Sequence, residues 1–293
     1  MSNPIVSGYR LPGLRMMLRC ELSVMLRVLL LLCLVASSAE PQRTTADAEL
    51  AAAKAARKKG NSDEAFYHVQ QALAVNPDLT EAHFVLASIA DDGCHPSAEP
   101  GPDEHLCELA FREYLKVLEL NQNHQDALTS LAYLSYQFDR VDDAESNYRR
   151  ALIVNPNAPE ALCGVAAIDL RRSWADLAKA TNGEVNQPRR ERYIKSPSCA
   201  EVARKDRDRI NEGIVLITRG LDIRNGDMDL MGYLATLYWL RAVVQCGDER
   251  AFNEDTSNAK RLDRARQEQW RSRKQSDYLQ KCPSAPNPLT LWK

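Results

Sequence analysis

The chain has 293 residues, 44% of them hydrophobic and 27% charged, with a formal net charge of −2 and a pI near 6.3. That length allows roughly one to three domains. The near-neutral charge excludes a general electrostatic pull toward nucleic acid or anionic membrane. Aromatics make up only 6%; Ala and Leu dominate and β-branched runs are scarce, so an all-α chain is expected.

Residues 1–39 read as an export signal and its n-region. Arg10, Arg15, Arg19 and Arg27 precede an apolar run at Val28–Ala36, and Ser37 and Ala39 are small residues placed for cleavage after Ala39. The run covers about nine residues, whereas crossing a bilayer takes roughly 20. Membrane association is therefore expected only through this segment, if it stays uncleaved. Cys33 follows Leu32, where a lipoprotein site wants a small residue. Six cysteines remain downstream: Cys94, Cys107, Cys163, Cys199, Cys246 and Cys282. An even set in an exported chain points to disulfides and to the periplasm, cell envelope or exterior.

The helices then come in pairs. Ala52 and Ala53 lie on a first helix, Gly60 and Asn61 make a turn, and Ala65, Val69, Ala72 and Leu73 form one face of a second helix that Pro77 ends. The layout recurs with Leu128, Leu131, Ala132 and Ser135, a polar turn, then Ala144, Tyr148, Ala151 and Leu152 before Asn155-Pro156. The faces follow i, i+4, i+7, i+8 spacing, and a proline pushes its neighbour out of the α region. Ala53 to Ala65 and Ala132 to Ala144 are both 12 residues apart. Two longer copies begin at Leu86–Ala90 and Ala161–Leu170 and end at Glu108–Gln122 and Gly213–Asn225, with inserts at 91–107 and 173–207 between their helices. Asp229–Gly247 and the charged Glu254–Cys282 make a terminal hairpin, and 283–293 a disordered tail.

This layout resembles the tetratricopeptide repeat, a helix–turn–helix unit of 34 residues. Repeats fall near 46–79, 80–124, 125–158 and 159–227, with the closing hairpin at 228–282. Met228–Trp270, with Cys199–Val202 before it, is similar to the terminal segment of a group of exported bacterial tetratricopeptide proteins. The resemblance implies a right-handed α-α superhelix of about five hairpins spanning 40–282, and a non-catalytic scaffold that binds a protein or peptide on its concave face. The concave positions supply Lys54, Phe84, Asp126, Thr129, Tyr133, Tyr136 and Trp239 as contact residues; aromatics dominate interface hot spots. The positions that clamp a carboxylate in some relatives carry Leu50, Lys54, Val85, Asp126 and Ser130, a poor match.

No phosphate loop, dinucleotide fingerprint, serine elbow or paired-histidine zinc helix is present, so no enzyme activity, cofactor or metal is expected. His68 and His83 sit on helices and His124 in an exposed turn. Cys94, His95, His105 and Cys107 are possible zinc ligands, but their spacing is unfamiliar, and in an exported chain Cys94–Cys107 pair more simply with each other. The competing readings are a metal-binding or enzymatic protein that uses the two inserts, and a structural spacer in an envelope complex. Cys199 and Cys246 flank two helices that meet near Asn225–Asp227, and their arms differ by only about 7 Å in length. A Cys199–Cys246 bridge is expected, with Cys163 a buried free thiol.

Overall fold

The structure, a computed structural model, describes residues 45–95, 104–183 and 192–272. The expected signal segment 1–39, the expected tail 283–293 and Cys282 lie outside these residues. In chain order the helices are α1 over 45–58, α2 Ser62–Val75, α3 Thr80–Asp92, α4 Glu104–Leu120, α5 Gln125–Gln137, α6 Val141–Val154, α7 Pro159–Thr181, α8 Pro197–Ile223, α9 Met228–Val243 and α10 Glu249–Ser272. Among the described residues there is no strand. No helix there is long and apolar enough to cross a membrane.

The turns show why the elements stop where they do. Gly60 takes φ +78°, a left-handed value that costs glycine little, and Asn61 then caps α2 by accepting from the Glu64 amide. After α2, α4 and α6 one joint is written three times. The side chains of Asn76, Asn121 and Asn155 accept from the amides of Asp78, Asn123 and Asn157. Their carbonyls accept from Leu79, His124 and Ala158. An asparagine that folds back on its own backbone fixes such a turn. It explains why the second joint forms with Gln122 where the others have proline. His124 caps α5, its Nδ1 accepting from the Ala127 amide at 3.2 Å, rather than standing exposed.

The chain divides into two compact units, through Val85 and from Leu86. In the first unit Ala53, Ala56, Ala65, Val69 and Ala72 are buried. His68 Nδ1 meets Glu49 at 2.7 Å, and His83 Nε2 donates to the Pro77 carbonyl at 2.8 Å.

In the second unit α4 to α10 pack each against the next, and α7 also touches α5 and α9. Small residues set the close approaches. A Cβ on Gly164 would lie 2.3 Å from the buried Tyr148 ring, so glycine is what lets α6 and α7 meet. Leu237 and Leu230 of α9 lie in the same way against Gly213 and Gly220 of α8. Arg241 joins three helices: it is bonded to Asp255 through two nitrogens and donates to Asn211.

The expected second insert is largely helix. α7 runs on to Thr181 and α8 begins at Pro197; Asn182, at φ 52°, ends α7 in the left-handed conformation common at helix ends. Ala, Leu and Lys in 175–180 are strong helix formers with no glycine or proline among them, so the first helix simply continues.

Candidate functional site

α5, α7 and α9 are the first helices of successive hairpins, with α7 packed against both of the others, and the open stripe of α5 continues onto the exposed Arg171 of α7. Tyr133 and Tyr136 stand half-buried on α5. Arg171 of α7 lies over the Tyr136 ring, 5.4 Å from its centre, and pairs with Asp139. Burial raises the Tyr136 pKa, and Arg171 opposes part of that rise. Tyr148 and Tyr233, buried beneath, are pushed well above the usual tyrosine value by desolvation first and then by neighbouring groups, Tyr133 and Tyr136 among them. With their pKa values raised, Tyr136, Tyr148 and Tyr233 are neutral near pH 7. The chemistry on offer is aromatic contact and hydrogen bonding.

The other expected contact residues divide. Asp126 is exposed at the start of the same stripe. Thr129 drops out: it is buried, and its hydroxyl donates to the Gln125 carbonyl of its own helix. Trp239 is half-buried at the seam with α10, where Lys260 lies 5.9 Å from its ring centre. Its ring is therefore part of the α9–α10 packing. Lys54 and Phe84 belong to the first unit. There Lys54 is exposed and paired with Glu81 at 2.8 Å, and Phe84 is half-buried. Arg171, which supplies the face's guanidinium, stands one turn past Ala167, at a position that the repeat register also turns toward the concave face.

The cysteines are brought together in two pairs. The sulfurs of Cys94 and Cys107 are 2.07 Å apart, with Cα atoms at 4.8 Å, and those of Cys199 and Cys246 are 2.09 Å apart, with Cα atoms at 5.7 Å. The Cys94 and Cys107 sulfurs are therefore bonded and not thiolate ligands. Cys163 is corrected: it too is disulfide-bonded rather than a free thiol. Its small, apolar setting in the second turn of α7 concealed this.

The extended α7–α8 hairpin holds a feature that the sequence hid. Asp169, Ser173, Asp206 and Tyr193 are all buried, and each has one polar atom with no hydrogen-bond partner. Asp169 lies among Glu212 and Arg209 of α8 and Glu145 and Arg149 of α6; burial first, then the acidic neighbours, pushes its pKa up to about 7. Arg149 bridges Glu145 and Glu212 at 2.7 and 2.8 Å above it. Asp206 is raised by burial and by Asp176, against Arg209 and Lys205. Tyr193 is lifted to about 12 by burial and by the Asp206 charge.

Near the loop 186–198, where the competing reading would put its site, Ala180, Thr181, Asn182, Arg192, Tyr193, Ser196 and Ser198 line a cavity of about 330 Å³. Ser196 Oγ is committed to helix capping, donating to the Tyr193 carbonyl and accepting from the Cys199 amide. Residues 186–191 of that loop lie outside the described residues. Among the described residues, no group of three or more His, Cys, Asp or Glu is placed to hold a metal ion.

No family model matches the sequence, and no curated protein does. Solved structures do. A crystal structure of MamA protein is similar with a TM-score of 0.52 at 12% identity, over 80% of this chain and 98% of that one. Pseudomonas aeruginosa pilF matches with a TM-score of 0.43 at 16% identity, over 80% and 95%. A tetratricopeptide repeat protein from Parabacteroides merdae matches with 0.38 at 16%, over 78% and 88%. The likeness to MamA concerns fold alone. This chain has an all-α fold of the tetratricopeptide type.

Proposed function

We propose that this protein is a non-catalytic scaffold of the cell envelope or exterior, binding a protein or peptide through the α5–α7–α9 face. The observation that carries the reading is the pair Tyr133 and Tyr136, held half-exposed over buried tyrosines on a rigid helix. Such amphipathic aromatics lose little conformational entropy on contact and recur as interface anchors. The two bonded cysteine pairs favour an oxidising compartment, in keeping with the leader-like residues 1–39.

The test is site-specific photo-crosslinking in the native cell. A cross-linking residue at Tyr133 should capture a discrete partner, and one at the exposed Ile153 of α6 should not. The Tyr133→Ala/Tyr136→Ala double variant, still fully helical by circular dichroism, should then fail to co-purify that partner. Undiminished co-purification would remove this face from consideration.

A further inference from the structure

Cys163 is disulfide-bonded, and the four other cysteines among the described residues are bonded to one another as Cys94–Cys107 and Cys199–Cys246. Cys20, Cys33 and Cys282 are the cysteines that remain, and the first two fall within the expected signal segment. Contacts among the described residues bring the approach to Cys282 close to Cys163. Near the end of α10, Gln269 donates to the Gly226 carbonyl at 2.6 Å, in the turn between α8 and α9. From the same turn Arg224 reaches Glu160 at 3.9 Å, in the first turn of α7. The end of α10 and the start of α7 therefore stand at the same end of the stacked helices, and Cys163 is three residues past Glu160. Ten residues lead from Ser272 to Cys282; extended, they reach about 30 Å, against a helix spacing of about 8–10 Å. The stripe of Cys163 continues through Ala167 to the exposed Arg171. A segment bonded there emerges on the side of Tyr136, whose ring Arg171 covers.

We infer that Cys163 is bonded to Cys282 and that residues 283–293, held by this bond, lie across α7 and α5 as an internal occupant of the Tyr133–Tyr136 face. The inference rests on the reading of that face as a binding surface and gives it a regulator within the chain, which a partner must displace. In forming the bond each thiol gives one electron and one proton to a disulfide-bearing oxidant of the exporting compartment. The oxidant's own disulfide becomes two thiols, and one sulfur–sulfur bond joins the pair. The composition of the segment fits the face. Pro283, Pro286 and Pro288 favour the extended polyproline form, which docks in aromatic-lined grooves at small entropic cost. Leu289, Leu291 and Trp292 follow as apolar anchors. The length fits as well. Cys163 is the fifth residue of α7, and Tyr133 and Tyr136 are the ninth and twelfth of the parallel α5. Helical rise and helix spacing put the tyrosines about 10–14 Å from the bond. At about 3.1 Å per residue a polyproline segment covers that in about three to five residues, which brings Pro286 and Asn287 to the tyrosine rings.

The experiment uses the purified, oxidised protein. Non-reducing peptide mapping should return one linked pair that holds Cys163 and Cys282. Cys282 found as a free thiol, or joined to another cysteine, overturns the tie. The variant with a photo-cross-linking residue at Tyr133 is then irradiated in purified form, with no partner present. Its cross-links should map to residues 283–293 of the same molecule, at a yield independent of protein concentration. Cys282→Ser, which frees the segment and leaves Cys163 in place, should lower that yield at least about fivefold, as the loss of a short tether does. No cross-link to 283–293, or an equal yield with Cys282→Ser, overturns the internal occupant. In the native cell, deletion of 283–293 should raise partner capture at Tyr133 about threefold or more, and unchanged capture overturns the segment's role as regulator. The two readings fail separately. A partner captured in the cell without a cross-link to 283–293 in the purified protein removes the occupant and leaves the face. A cross-link to 283–293 with no partner captured, even after the deletion, leaves the occupant and removes the face as a partner surface.

Discussion

The α5–α6 and α7–α8 hairpins occupy the same place in the repeat and solve it differently. α5 and α6 have 13 and 14 residues, and their contact is made by Leu128, Leu131, Ala132, Ala144, Tyr148 and Ala151, all buried. α7 and α8 have 23 and 27 residues. α7 buries Asp169 within the shared length, and the extra turns bring in Ser173, Asp176 and Asp206; Asp169, Ser173 and Asp206 are buried, each with an unpartnered oxygen. The short hairpin is held by close apolar packing. The long one carries unsatisfied polar groups, which cost stability, and is tied at its far end by Cys199–Cys246 to the turn after α9. Lengthening a repeat by extending its helices thus brings surface-type residues into a buried seam, and the covalent tie stands at the N-terminal end of α8.

Removing the tie should show the largest effect. Cys199→Ser/Cys246→Ser is expected to lower the unfolding free energy by about 4 kcal/mol, as the loop of 47 residues it closes implies in the chain-entropy model. Chemical denaturation under non-reducing conditions measures this. An effect well below that of Cys94→Ser/Cys107→Ser, whose loop is shorter, would mean that the long hairpin does not need its tie.

The buried carboxyl gives the next. Asp169 is raised to about 7, so the folded state holds a proton that the unfolded chain, with its ordinary carboxyl, releases near pH 4. The sign follows: stability falls as pH rises from about 4 through 7, and the loss is complete above 7. Asp169→Asn should remove that slope and raise stability at pH 8 by about 4 kcal/mol. Parallel denaturation curves for the two proteins at pH 5.5 and 8 decide it: an unchanged difference between these pH values would show that Asp169 does not titrate there.

Gly164 joins the two hairpins. Gly164→Ala sets a methyl into the Tyr148 ring and should cost about 2 kcal/mol by overpacking. The added Tyr148→Leu change should recover part of this, because it vacates the same space. Smallest of all, Arg171→Ala removes an exposed ion pair with Asp139 and should shift stability by only about 0.5 kcal/mol, seen as a change of a degree or two in melting midpoint.

The short hairpin was legible because its residues speak in a local code. Alanines at fixed spacing, Asn before Pro, and Gly-Asn at a turn each have one cheap conformation. The long hairpin was not, because the 34-residue template turned 173–181 into insert although Ala175 and 177–180 are strong helix formers. Burial of Asp169, Ser173 and Asp206 depends on which helices are prolonged beside them, and nothing in a run such as Ala203–Glu212 marks one aspartate of several as the inner one. The same holds for the face: Tyr133, Tyr136 and Asp126 follow from the stripe, but the burial of Thr129 and the commitment of Trp239 to α10 follow from neighbours that the stripe does not contain.

The order of the cysteines has a consequence for how the chain matures. Cys94 and Cys107 are successive in sequence, but Cys163 stands between that pair and Cys199–Cys246 and is bonded to neither. If the protein threads through a membrane from its N-terminus, as the proposed export requires, an oxidant acting on thiols in order of emergence would join Cys163 to Cys199. The observed pairing then demands either that α7 and α8 coil before oxidation reaches them or that a wrong bond is later exchanged. Production in a host with a disulfide isomerase should therefore matter more for this protein than the number of its bonds suggests, and replacing Cys163 should relieve that dependence.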